Sequence, residues 1–177
     1  MRLFQADDFF HISNINLDRW TFTFSTDFYL EYESKWPDLF FCEDAPNGDI
    51  AGFGIAKVEG DKNPLKKDWH GHVSVLTVAN EYRRLGYSRR FMDFMEDISE
   101  NVDDAWFMDL FVRTDNKLAV GLYKKLDYSV YRHILKYYSN INDAYDMRKA
   151  FKRDINKETI IPPYKGPIPV SKITTTL

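Results

Sequence analysis

An α/β (α+β) fold in one domain is what the chain predicts, on three observations. Its patterned segments run as helices, then antiparallel strands, then strand–helix–strand–helix–strand. Its 177 residues are 44% hydrophobic, enough for one proper core. No internal repeat and no second core interrupts that order. The expected organisation is a domain over 1–150, followed by an extension over 151–177 with a proline-bearing tail.

Each element has its own reason. "DDFFHISNINL" (7–17) sets apolar residues at helical spacing behind an acidic start, predicting a helix. "DFYLEYESKW" (27–36) is a second helix, closed by Pro37, which disfavours a helical residue before it. "DLFFCEDAPNGDIAGFGIAKVEG" reads as two strands around a Pro-Asn-Gly turn, with Gly52 and Gly54 permitting close backbone approach. "DKNPLKKD" is a polar loop, and "WHGHVSVLTVAN" a strand with alternation through Val73, Val75 and Thr77. "SRRFMDFMEDISENV" places Phe91, Phe94, Met95, Ile98 and Val102 on one helix face. "AWFMDLFVR" is apolar enough for a strand buried on both sides. "DNKLAVGLYKKL" predicts a helix with Leu118, Leu122 and Leu126 on one stripe, and "YSVYRHILKYYS" a strand rich in tyrosine. "AYDMRKAF" fits a short strand or helix.

Composition narrows the class. A formal charge of −3 gives no global attraction to nucleic acid or anionic membrane, so any anion site must be local. Cys42 is the single cysteine, which forbids an intrachain disulfide and fits a reducing, cytoplasmic setting. No apolar run approaches the roughly 20 residues of a membrane helix, and Met1-Arg2 opens no signal-peptide pattern.

Against that acidic background, "EYRRLGYSRR" (81–90) gathers four arginines between a strand and a helix. Exposed N–H groups and the macrodipole make a helix N-terminus a phosphate site, and arginine adds bidentate bonds. Gly86 lets the backbone approach an anion, and small Ser88 suits the helix cap. A basic turn before a solvated helix is the other reading. Downstream, Asn116, Ala119 and Tyr123 follow N-x-x-A-x-x-x-Y spacing. Arg-x-x-Gly-x-small followed some thirty residues later by this element resembles the GNAT acetyltransferase superfamily. That resemblance implies a mixed, mostly antiparallel twisted sheet flanked by helices. It implies that Arg83, Arg84, Leu85, Gly86, Tyr87 and Ser88 grip the pyrophosphate of acetyl-CoA. Leu76, Thr77 and Val78 would bond its pantetheine, Asn116 would help to hold it, and Tyr123 would lie near the thioester sulfur. Ser88 replaces the family's Gly or Ala, and Asp127 replaces the Gly that usually ends the helix.

"FYLEYESKWPDLFF", "WHGHVSVLTV", "EYRRLGYS", "DLFVR", "YSVYRHILKYYS", "DAYDMRKAF" and "IIPP" are similar to catalytic subunits of NatB-type N-terminal acetyltransferases. This implies acetylation of nascent chains starting Met-Asp, Met-Glu, Met-Asn or Met-Gln. It also implies a heterodimer with a large helical auxiliary subunit that docks near the ribosome. The apolar residues Phe9, Phe10, Ile12, Ile15 and Leu17 exceed one buried stripe and suggest a partner surface.

The chemistry asks for a neutral amine, a stabilised oxyanion and a proton for the thiolate. An α-amine titrates at roughly 7.7–8.0 and a lysine near 10.4, so an N-terminus needs less from a base. The catalytic candidates are Tyr123 as general acid, His72 and Asn116; a core tyrosine and a helix-start residue are the plainer readings of Tyr123 and Asn116. His70 and His72 share one strand face, but no third metal ligand stands out, and no metal is expected. The resemblance matches His72 to a peptide-binding histidine that donates to an acidic second residue; a water relay for the amine proton is the alternative. It matches Tyr137 and Tyr138 to a pair that clamps the peptide backbone; as plain strand residues they would point to opposite faces. Phe22 and Phe24 stand where the family carries a glutamate and a tyrosine, and could line a pocket for the initiating methionine. Two other activities fit the same fold: a lysine or small-amine acetyltransferase, and a non-catalytic CoA-fold adaptor.

Overall fold

The computed structural model describes residues 1–12, 15, 20 and 22–173. Its eight-stranded mixed sheet is built from two compact units, Met1–Lys57 with Val73–Ile98, and Val58–His72 with Ser99 onward. The strands are β1 (Arg2–Leu3), β2 (Phe40–Asp44), β3 (Ile50–Glu59), β4 (His70–Val78), β5 (Phe107–Arg113), β6 (Ser129–Tyr138), β7 (Asn142–Ala150) and β8 (Ile168–Pro169). The helices are α1 (Thr26–Lys35), α2 (Tyr87–Asp97) and α3 (Lys117–Lys125). No described helix is long and apolar enough to cross a membrane.

In the first unit the strand order is β1-β2-β3-β4. β2 and β3 form the expected hairpin, antiparallel from Phe40↔Ile55 to Asp44↔Ile50. β3 is buried on nearly every residue. Close packing demands Gly52, where a Cβ would stand 2.6 Å from the Thr77 carbonyl oxygen. The core beneath is aromatic: Phe4 stacks on Phe40 at 4.2 Å, with Phe53, Tyr29 and Tyr32 buried around them. Each such side chain contributes roughly 1.5–3 kcal/mol by leaving water. α1 ends where Pro37 forces Trp36 out of helical geometry (φ −137°, ψ 56°).

The helix expected over 7–17 is not what its first half forms. Ala6–Phe10 is a 3₁₀ turn, because the Asp8 carboxylate takes the Gln5 N–H at 2.8 Å and is clamped by Arg2 at 2.7 and 2.8 Å. Ile12 and Ile15 belong to the core rather than to an exposed partner surface, Phe9 packs against that core, and Phe10 is 82% exposed. Residues 13, 14 and 16–19, with Leu17, lie outside the described residues. α2 buries Phe91, Met92 and Met95, but Val102 is exposed. Ile98–Val102 is a π turn, and its wider spacing swings Val102 off the 3.6-residue stripe.

In the second unit β5, β7, β6 and β8 are neighbours in that order. β5 and β7 pair antiparallel from Phe107↔Ala150 to Arg113↔Ala144, so "AYDMRKAF" is a strand. The buried stripe of α3 is Val120 and Tyr123, with Leu126 just past its end, while Leu118 is exposed. The row at i, i+3, i+6 won over the row through Leu118. Asp127 ends α3 at φ +69°, the left-handed conformation expected of it. β8 pairs parallel with β6 through Ile134↔Ile168, and Ile168 is buried beside Ile134 and Ala144.

Candidate active site

The first unit carries the arginine-rich loop. Arg83 Nε donates to the Val78 carbonyl at 2.9 Å, tying the loop back to the end of β4. Arg84 (φ +66°) and Gly86 (φ +90°) are both left-handed, with exposed Leu85 between them. Gly86, not Ser88, is the N-cap of α2, and Ser88 is the second residue of the helix. The left-handed cap needs the glycine, which has no side chain to cap the helix. The first-turn N–H groups of α2 and the positive end of its macrodipole lie in a stretch that carries Arg83, Arg84, Arg89 and Arg90. Thr77 and Val78 are buried and Leu76 half-buried at the strand end that leads into this loop. Phe24 stacks on Phe28 at 4.0 Å, and Phe22 meets its edge at 5.0 Å while remaining 70% exposed.

The second unit carries His70, His72, Asn116, Tyr123, Tyr137 and Tyr138. Asn116 is the N-cap of α3, its side-chain oxygen accepting the Ala119 N–H at 3.2 Å. Tyr123 is buried, and that burial pushes its phenol up to about 12. β6 does not alternate at its end. Its register with β7 shifts between Ile134 and Tyr138, and Lys136 is left-handed (φ +53°). Asp143 holds this bulge by accepting the Lys136 N–H at 2.9 Å and meeting His133 Nε2 at 2.9 Å. In consequence Tyr137 and Tyr138 do not occupy opposite faces: their rings pack edge to face at 5.0 Å. Tyr137 also packs on Phe111 at 4.8 Å, and the Tyr138 hydroxyl donates to the Phe111 carbonyl at 3.1 Å. Burial raises both phenols above their ordinary value, with nearby Asp109 adding to the effect on Tyr137.

His70 and His72 are committed to hydrogen bonds of their own. His70 Nδ1 donates to the Asp68 carbonyl at 2.5 Å, and its ring stacks flat on Phe107 at 4.6 Å. His72 Nδ1 lies 2.6 Å from Asp109 Oδ1, and its ring packs near Phe111. Asp109 escaped attention in the sequence, although a lone carboxylate in an otherwise apolar strand was the signal for it. It is 4% exposed and faces His70 Nε2 at 3.8 Å and Arg148 at 4.0 Å. Burial works to raise its carboxyl, but His72, His70 and Arg148 together hold it below the usual range. Arg148 lies between the rings of Phe107 and Tyr131, at 4.3 and 3.6 Å. Asp146, fully buried, pairs with Arg132 at 2.6 Å and Arg148 at 3.5 Å. Burial and the Asp109 charge push its carboxyl up against the pull of those arginines.

Residues 9–128 match the acetyltransferase (GNAT) family. The chain belongs to that family. It is 43% identical over 168 residues to the N-terminal acetyltransferase B complex catalytic subunit NAA20 of Arabidopsis thaliana, covering 95% of this chain and 94% of that one. It is 48% identical over 162 residues to N-alpha-acetyltransferase 20 of Dictyostelium discoideum, covering 92% and 91%. Among solved structures, Chaetomium thermophilum Naa20 in complex with a bisubstrate analogue superposes with a TM-score of 0.88 at 37% identity, over 96% of both chains. Within the GNAT family this chain therefore belongs with the catalytic subunits of N-terminal acetyltransferase B.

Proposed function

We propose that this GNAT enzyme moves acetyl from acetyl-CoA to the α-amino group of nascent chains beginning Met-Asp, Met-Glu, Met-Asn or Met-Gln. The observation that carries the reading is the bulged end of β6. It packs Tyr137 edge to face with Tyr138 beside Phe111, an aromatic support for an extended peptide start. Identity of 43–48% to N-terminal acetyltransferase catalytic subunits supports the same substrate class.

In this reading the loop over 83–88 takes the pyrophosphate through the first-turn N–H groups of α2 and its arginines. The backbone at Leu76, Thr77 and Val78 takes the pantetheine, and the Asn116 side-chain amide, its oxygen spent on the cap, offers its N–H₂ for positioning. Phe22 and Phe24 cover the initiating methionine. The neutral amine nitrogen attacks the thioester carbonyl, the tetrahedral oxyanion collapses with cleavage of the C–S bond to release the CoA thiolate, and the surplus proton on nitrogen passes to solvent water. Tyr123 is the general acid. Burial keeps it a phenol at neutral pH, so it donates to the departing sulfur. A thiol titrates near 8.5, so full transfer from a phenol near 12 runs uphill by roughly 5 kcal/mol. Tyr123 therefore acts chiefly as a hydrogen-bond donor that lowers the charge on sulfur while the bond breaks. The enzyme works in the cytoplasm as a heterodimer with a large helical auxiliary subunit, which brings it to the ribosome.

The test is acetyl transfer by the chain with its auxiliary subunit to peptides starting Met-Asp, Met-Leu and Ser-Glu, and to a peptide with only a lysine amine. Transfer to Met-Asp alone is expected. Transfer to the lysine peptide would overturn the substrate, and acetyl-CoA binding without any transfer would mark an adaptor.

A further inference from the structure

The chain over 161–173 belongs to the proline-bearing tail, and its burial pattern singles out two residues. Every residue in it is exposed except Ile168 and Ile173. Ile168 is 5% exposed and packs with fully buried Ile134 and Ala144. Phe111, Tyr137, Tyr138 and Ile173 pack around that same cluster. Both anchors of an otherwise solvated segment therefore close on the aromatic pair assigned to the peptide.

Backbone bonding does little to hold this segment. β8 is two residues long, and Pro169 has no N–H, so Ile168 is the one possible ladder donor of the strand. Before β8, Pro162, Tyr164 and Pro167 face Tyr131, Arg132 and His133 across a cleft. After it comes a 3₁₀ turn over Val170–Lys172, closed by the Ile173 N–H on the Val170 carbonyl at 2.9 Å. That turn brings Ile173 back to the cluster. Side-chain burial at two points, more than a ladder, attaches the segment.

The place of attachment matters. β8 pairs with Ile134 and Leu135, and the next residue is Lys136, the left-handed residue of the β6 bulge. From the other edge of β6, β7 holds the bulge through Asp143. The bulge thus lies between two supports. A bulge disrupts its ladder locally, so its conformation depends on what packs against it. Tyr137 and Tyr138 follow directly, and a shift at Leu135 or Lys136 moves both rings.

Resting on the reading of Tyr137 and Tyr138 as the peptide site, we propose that 161–173 is a strap that completes that site. Ile168 and Ile173 are positioning residues. They hold the bulge in the arrangement in which the two rings receive an extended peptide start. When the strap lifts, the fraction of chains ready for peptide falls, and the apparent affinity for peptide falls with it. The loop over 83–88 keeps its hold on acetyl-CoA. A bound peptide in turn favours the docked strap, since the coupling is reciprocal.

The test uses full-length Ile168→Ala, Ile173→Ala and Ile168→Val, each with the auxiliary subunit, on a Met-Asp peptide. Both alanine variants are expected to raise KM for the peptide at least about threefold, with kcat at saturating peptide and KM for acetyl-CoA unchanged. Ile168→Val, which keeps a branched apolar anchor, should stay within about twofold of the unaltered complex. An unchanged peptide KM, or an equal loss in kcat with KM unmoved, would overturn the proposal. Hydrogen exchange gives a readout that needs no activity. In Ile173→Ala, a half-buried site that can be shortened without opening the core, exchange across 134–143 should quicken while α2 is unaffected. Unchanged exchange across 134–143 would overturn the proposal even if Ile168→Ala failed to fold. Failure of the unaltered complex to acetylate the peptide would instead be failure of the underlying reading.

Discussion

Tyr123 joins two properties that pull in different directions for a catalytic acid. Its burial makes it a core residue of α3, and the same burial lifts its phenol to about 12, so it is protonated throughout the physiological range. Tyr123→Phe removes one hydroxyl and leaves the ring packing. We expect kcat to fall about 10- to 100-fold, a hydrogen bond to a charged group being worth roughly 1.5–3 kcal/mol. KM for acetyl-CoA should change little, and stopped-time acetylation of a Met-Asp peptide measures both. At this scale the sequence was informative wherever a residue type names its chemistry. Tyr123, His72 and the arginines of the loop could all be singled out by type and spacing. The role of Asn116 in capping α3 was legible as well. Asp109 was not, because nothing in "AWFMDLFVR" says that a histidine on the preceding strand, 37 residues earlier, will be 2.6 Å away.

Two elements carry conformations on which the proposed sites depend. The turn into α2 passes through left-handed residues at 84 and 86, and a Cβ on Gly86 would touch nothing. Gly86→Ala therefore costs backbone strain alone, about 1–2 kcal/mol. For a chain of this size that lowers Tm by roughly 2–8 °C. Because the strain acts on the N–H groups that would hold phosphate, KM for acetyl-CoA should rise in parallel; calorimetry and a CoA titration check the two. The bulge of β6 is the second element. Asp143 holds the Lys136 N–H and His133, so Asp143→Ala should loosen the edge-to-face Tyr137–Tyr138 pair. We expect KM for the peptide to rise roughly fivefold, the net worth of about one hydrogen bond, with kcat for a saturating peptide little changed. Strand periodicity could not anticipate that bulge: alternation assigns successive tyrosines to opposite faces, and only the register slip against β7 brings them together. The π turn after α2 misled the helical pattern in the same way, leaving Val102 exposed.

For the whole molecule, the shifted groups define a window of stability. Asp8, through Arg2, and Asp109, through His72, His70 and Arg148, titrate below their unfolded values. Their contribution is complete above about pH 4 and is lost as the pH falls through the lower folded values. Asp146 opposes them, since its raised carboxyl weakens the fold at neutral pH and relieves that cost on protonation. At the other end, burial lifts the Cys42 thiol to about 12 and the Tyr123 phenol to about 12. Raised acids stabilise fully below their unfolded values, roughly 8.5 and 10, and lose that contribution as the pH climbs toward 12. Tm should thus be flat between about pH 5 and 8 and fall on both sides. Asp8→Asn should flatten the acid limb in a calorimetric series.

By itself the sequence determined the fold class, the hairpin, most of the helices and strands, and the basic, glycine-bearing character of the proposed cofactor loop. Those follow from local causes, periodic burial and turn chemistry, whereas the proposed peptide site came only from the resemblance to a known family. The tertiary structure decided which apolar residues became core and which stayed exposed, as with Ile12 against Phe10. It also decided that Tyr137 and Tyr138 share a face, and that a buried carboxylate stands behind His72. These are outcomes of register, tertiary packing and burial, which choose a residue's neighbours where local preference does not.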